Sequence, residues 1–253
     1  MRCFDHPLFA DVHDFDALMR SSDWPGIETI NAQLPVHGKQ FVIQDDALLD
    51  DGLHYEQRIA QGRIATRMQN WHDLFNAMVW ARQPAIKRAL NAQQCLHIAA
   101  LGASQRNRAQ AALTQFDEAG LIVRVNDESL LKAWDQHDWS SLFNPTVWRD
   151  GGIAVCAVIG HALMEQALLL ERLLVGKCVV VVGGDDAACV AEVAAAIAGG
   201  RLLADPAELR PLPLAGIPGW HSPQDQAFYQ QRDYFRPLRE GRRYPVPLSL
   251  RRS

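Results

Sequence analysis

The sequence has no CxxC pair, no internal repeat, no low-complexity linker and no clean apolar run of membrane length. Each absence removes a class of protein. The five cysteines, Cys3, Cys95, Cys156, Cys178 and Cys189, are odd in number and scattered, a pattern that fits a reducing compartment rather than a disulfide framework. Cys156, Cys178 and Cys189 lie in apolar runs and read as buried thiols. The apolar stretch 153–182 is interrupted by His161, Glu165, Glu171, Arg172 and Lys177, so it never supplies the ~18 apolar residues of a span. The opening residues, Met-Arg-Cys-Phe-Asp-His-Pro, carry no apolar signal core. These features predict a cytoplasmic, soluble protein with no membrane partner. The net charge of -4 argues against a nucleic-acid binder driven by bulk charge, though not against a local basic patch. No GxGxxG, GxxxxGK[ST] or GxSxG motif is present, so no familiar phosphate cradle or nucleophile elbow guides the reading.

What remains is a chain of 253 residues, 48% hydrophobic and 21% charged, with ordinary globular composition. The hydrophobic pattern predicts an α+β fold, mostly helical in the N-terminal part, with a small sheet and helices in the C-terminal half. A single compact domain over 1–253 is expected, with a mainly helical lobe at 1–150, a β-α-β-α lobe at 151–220 and an irregular tail at 221–253. Helices are expected over 53–61, 71–82, 84–101 and 106–118, a strand over 121–125, and a helix capped by Asn126 or Asp127 that runs to Trp139. Further on, 153–159 and 178–182 read as strands, with helices over 160–174 and 185–198. The tail arginines Arg236, Arg239, Arg242, Arg243, Arg251 and Arg252 are offset only by Glu240, and a solvated, fraying tail is the expectation.

The densest chemistry lies in residues 66–76, which hold a His, an Asp, two Asn and an Arg at the start of a core helix. At ~100° per residue, Trp71, Leu74, Phe75 and Met78 share one side. His72, Asp73, Asn76 and Trp80 share an arc on the other. That arc is either a solvated face behind an Asn70 cap or the wall of a pocket; a large exposed Trp favours the pocket.

A second cluster follows Gly160. His161 and Glu165 are four residues apart on one helical face, and a helix continuing to Leu174 puts Arg172 on the same stripe. Apolar residues surround them, so these polar groups must be paired, hydrated or facing a cavity. A structural ion pair is one reading, and a divalent metal held by His161 and Glu165 another. A helix N-terminus favours a neutral His161. A third stripe is Gln110, Thr114 and Asp117. Asp117 and Glu118 together at a helix C-terminus either form a solvent-exposed acidic helix end or call for a positive neighbour, such as Arg67, Lys87 or a bound ion.

These segments resemble a bacterial family known as domain of unknown function 3025. The likeness rests on Tyr55-Glu56, Trp71-His72-Asp73-Leu74-Phe75-Asn76, Val79-Trp80, Lys87, Leu113-Thr114, Phe116-Asp117-Glu118 with Gly120, Gly160-His161-Ala162-Leu163 with Glu165, and Ile217-Pro218-Gly219-Trp220. It spans nearly the whole chain and implies one compact bacterial protein, without bringing an established activity. The sequence departs from the family pattern at Gln110-Ala111, at Ala119 and at Val179-Val180-Val181-Val182. If the replaced family residues carry chemistry, this member has lost part of it.

Three functions follow, the third and least favoured being a nucleic-acid-associated factor that uses the arginine-rich tail. In the first, an enzyme, with hydrolysis the least committed reaction, uses His72, Asp73, His161 and Glu165 as catalytic groups, while Arg67, Asn76, Trp80, Asp117 and Arg172 bind a small molecule. In the second, a non-catalytic binding or regulatory protein uses the same polar pocket. The enzyme requires the helices of His72 and His161 to meet around one cavity.

Overall fold

The computed structural model describes residues 3–169 and 171–250, so Leu170, Arg251 and Arg252 fall outside the described residues. It is an α+β structure. In chain order the elements that position the site are β1 (Gln40–Ile43), α1 (Tyr55–Ala60), β2 (Arg63–Thr66), α2 (Trp71–Arg82), α3 (Pro84–Leu101), α4 (Arg108–Ala119), β3 (Gly120–Val125), β4 (Ile153–Val158), α5 (His161–Ala167), β5 (Val175–Val182), α6 (Asp186–Ala198), β6 (Arg210–Pro213) and β7 (Leu248–Ser249).

Local chemistry sets most boundaries. The Asn70 side chain accepts the Asp73 amide and starts α2. Pro84 disfavours helical backbone at Gln83, ending α2, and its own ring suits the first turn of α3. Asn107 and Gln110 form a reciprocal capping box on α4. Asp185 caps α6 through the Ala188 amide.

β1 and β2 form a small parallel pair. The main sheet runs β4-β3-β5-β6, with β7 added beside β5. β3 lies antiparallel to β4 and parallel to β5, so the sheet draws strands from both sides of residue 150. Val179, Val180, Val181 and Val182 are all buried, as expected of a central strand covered on both faces. Helix α6 packs on β3, β4 and β5, while α4 packs on β3 and β5 and also meets α3 and α5. Phe75 and Phe116 are completely buried, each contributing on the order of 2–3 kcal/mol.

Two expected helices are shorter. The helix after Gly160 ends at Ala167, not Leu174. Turn hydrogen bonds to residues 165, 166 and 169 carry the chain on to β5, which must run beside β3 with Lys177 opposite Gly120. Sheet pairing overrides the helix propensity of the leucines. The helix capped by Asp127 covers Glu128–Asp135 and breaks at His137, whose φ is 55°. Asp138 caps a separate turn, Trp139–Leu142. Cys178 and Cys189 are buried as expected, while Cys156 is only half-buried.

One close approach decides where the site forms. Gly160 N donates to Gly120 O at 2.9 Å, and a Cβ on Gly160 would lie 2.6 Å from Ala119 Cα and 2.8 Å from Gly120 N. Glycine at 160 therefore lets the start of α5 touch the end of α4. Gly160→Ala is expected to lower stability in urea unfolding by about 1–3 kcal/mol, because rigid backbone must move. An unchanged midpoint contradicts this contact.

Candidate functional site

Five helices wall a cavity of about 270 Å³. Each contributes to the lining: Tyr55 and Glu56 from α1; His72, Asp73, Asn76 and Trp80 from α2; Lys87, Asn91 and Gln94 from α3; Gln110, Thr114, Asp117 and Glu118 from α4; His161 from α5. Asp73, Asn76 and Trp80 are buried, so this face of α2 is a cavity wall and not a solvated face.

His72 and His161 meet at one end. Their Nε2 atoms are 3.1 Å apart. Glu118 Oε2 lies 3.9 Å from His72 Nε2 and 3.8 Å from His161 Nε2. Behind His72, Glu165 Oε2 is 3.0 Å from Nδ1. A carboxylate there places the proton on Nδ1 and leaves the Nε2 lone pair facing His161. His161 is 3% exposed, and burial pushes its imidazole down to about 3, against an opposing pull from Asp117 and with help from Lys87. The ring is neutral at pH 7. Its Nδ1 makes no hydrogen bond of good geometry among the described residues, and the Asp117 main chain offers only a weak one. Burial raises Glu118, while His72 pulls it down.

The positive neighbour called for by the α4 acids is Lys87. Its Nζ donates to Asp117 Oδ1 at 2.5 Å, and it is 4% exposed. Burial by itself would raise Asp117; the charge and hydrogen bond of Lys87 outweigh it and hold the carboxyl below its usual range. Lys87 and Lys39 also flank the Trp80 ring at 5.5 and 5.7 Å. Asn76 Nδ2 donates to Tyr55 Oη at 3.0 Å, but Asn76 Oδ1 and Trp80 Nε1 are buried with no partner among the described residues. Burial pushes Glu56 upward, with Asn91 Nδ2 at 2.7 Å opposing it.

The structure distributes the sequence candidates unevenly. His72, Asp73, Asn76, Trp80, Asp117, His161 and Arg67 all line the cavity. Arg67 and Asp73, however, are committed to each other: Nη2 lies 2.7 Å from Oδ1, Nε lies 3.1 Å from Oδ2, and the Arg67 amide donates to Oδ2 at 2.6 Å. Glu165 sits behind His72, and the third group converging with the two histidines is Glu118, not Glu165. Arg172 is exposed, outside α5 and not on the cavity wall, because the helix ends before reaching it. Glu118, Lys87, Asn91 and Gln94 also line the cavity, beyond the site residues expected from sequence. Lys87, Asn91 and Gln94 have the same i, i+4, i+7 spacing that marked Gln110, Thr114 and Asp117, so that stripe was there to be read.

A family model matches residues 39–239. The chain belongs to that family, described as Protein of unknown function (DUF3025). No curated protein and no solved structure matches the chain. The matched range includes every cavity residue named above. Of the three departures from the family pattern, Gln110 lines the cavity, Ala119 packs beneath Gly160, and Val179 to Val182 lie in the sheet interior.

Among the described residues no helix is long and apolar enough to cross a membrane.

Proposed function

We propose that this chain is a metal-dependent hydrolase that holds a divalent ion of the zinc type between His72 Nε2, His161 Nε2 and a Glu118 oxygen, and acts on a small polar molecule in the adjoining cavity. The observation that carries this reading is the convergence of three ligand atoms from three separate helices. With separations of 3.1, 3.8 and 3.9 Å, a point equidistant from all three lies about 2.1 Å from each, the length of a zinc–imidazole bond. Two imidazoles and one carboxylate beside an open cavity are the donor set of a catalytic zinc site; structural sites are closed by a fourth protein ligand. A divalent ion bound there supplies Lewis acidity and lowers the pKa of water.

The remaining roles belong to the chain. Glu165 orients His72 from behind. Burial keeps His161 neutral and able to donate its lone pair. Lys87 places a fixed positive charge beside Asp117, where it can stabilise negative charge developing on a substrate. Asn76 Oδ1 and Trp80 Nε1 supply an unused acceptor and an unused donor one helical turn apart. These two atoms also suit a non-catalytic binding protein, and turnover separates the two readings. The family resemblance and scattered free thiols support a bacterial, cytoplasmic setting.

The test is elemental analysis of protein purified without chelator, followed by zinc titration of the stripped protein and assay against amide, ester and phosphoester panels. The expected result is about one ion per chain and a hydrolysis that stops on chelation and returns with metal. Protein that neither retains nor takes up a stoichiometric ion sinks the proposal. Glu165→Gln is expected to weaken zinc binding by about 10- to 100-fold while leaving the stoichiometry intact. Unchanged affinity by calorimetry removes the orienting role of Glu165.

A further inference from the structure

A second hollow, of about 610 Å³, shares no lining residue with the first. Its floor is the β5–β6 edge, where Lys177 pairs with Pro211 and Val175 with Pro213. These alternate positions point to one face of the sheet. Its roof is the arginine-rich segment that the sequence suggests is a fraying tail. That segment is instead fastened down. The His137 ring bridges Arg236 O at 3.0 Å and Tyr244 Oη at 2.9 Å. Trp139 Nε1 also donates to Arg236 O, at 2.9 Å, and Arg242 Nη2 donates to Ala207 O at 2.6 Å. Buried Arg210 holds Pro245 O at 2.8 Å. His137 takes up a left-handed backbone to make its bridge.

Arg236, Arg239, Arg242 and Lys177 line this hollow together, and Asp233 is the single acid among its lining residues. Among the described residues Lys177 and Arg239 have no ion-pair partner. The volume is that of a small-molecule site, and Leu173, Leu209 and Pro206 give it an apolar wall. Four Lys and Arg side chains against one acid on the lining call for an anion with several acceptor oxygens. We infer that this hollow is a binding site for a phosphorylated small molecule, its phosphate held by Lys177 and Arg239 and its body resting on the apolar wall. The site is independent of the metal centre.

The experiment is calorimetric titration of the full chain with inorganic phosphate, pyrophosphate and adenosine monophosphate, for wild type and for Lys177→Gln combined with Arg239→Gln. Both side chains reach solvent, and circular dichroism checks that the variant folds. The expected result is saturable binding by at least one of the three, weakened at least ten-fold by the double substitution and by added salt, with zinc uptake unchanged. No saturable binding by any of the three overturns the inference, as does equal binding by the double variant. Arg239→Gln alone is expected to show a smaller loss in the same direction, and no loss at all counts against the assigned contact.

Discussion

His161→Ala is expected to lower zinc affinity by at least about 100-fold and to leave protein purified without chelator with essentially no bound ion. The ring is buried, its Nε2 faces that of His72 at 3.1 Å, and among the described residues it is the α5 side chain that converges with His72 and Glu118. Removing one of three protein ligands leaves two that cannot hold a divalent ion against water. His72→Ala and Glu118→Gln should behave similarly, whereas Glu165→Gln should be milder. That ranking separates two ligand sets. If the ion were held by the i, i+4 pair His161 and Glu165, Glu165→Gln would be as severe as His161→Ala, and Glu118→Gln nearly silent. Zinc titration of the four stripped variants, with urea midpoints showing that each is folded, decides between them.

Lys87→Met is expected to destabilise the metal-free protein by about 3 kcal/mol in urea unfolding. Methionine preserves most of the length and volume of the side chain, so packing changes little. What is lost is the ammonium beside Asp117, whose carboxylate then stays in the cavity wall without its counter-charge. Adding Asp117→Asn should recover most of the loss, because the charge that needed compensation is gone; a double-mutant cycle measures the coupling. The pH dependence has a definite sign. Asp117 is held below its usual range in the folded state, so its contribution is complete above the ordinary carboxylate pKa of about 3.9 and fades as the pH falls further. In Lys87→Met that acid-side loss should shrink. Additive single effects, or an unaltered acid limb, argue against a coupled pair.

Much of the fold was legible because local rules set it. Asn70 before an amphipathic run, Pro84 two residues past the end of that run and Asp185 before an alanine-rich stretch fixed three helix starts without help from the rest of the chain. The run Cys178 to Val182 read as a strand, and its central, buried place came from the pairing. Where long-range pairing decided, the reading overran. The leucines after Ala167 favour helix, yet the chain has to reach β5 in register with β3, and Arg172 left the expected stripe as a result.

The candidate site divides in the same way. Sequence spacing was enough to put His72, Asn76 and Trp80 on one helical arc and Gln110, Thr114 and Asp117 on another, because a 3.6-residue period follows from the backbone alone. It could not say which arcs face each other. Glu118 joins the two histidines, and Glu165 stands behind them, only because Gly120 and Gly160 let the end of α4 touch the start of α5. The arginine-rich tail has no periodic signal, and its position over the sheet edge comes from the bonds of His137, Trp139 and Arg210, residues far from it in the chain. Local backbone and capping energies are written in neighbouring residues, so the sequence by itself determined the helices and their polar stripes. Which stripes meet depends on packing between distant segments, and only the tertiary structure decided that.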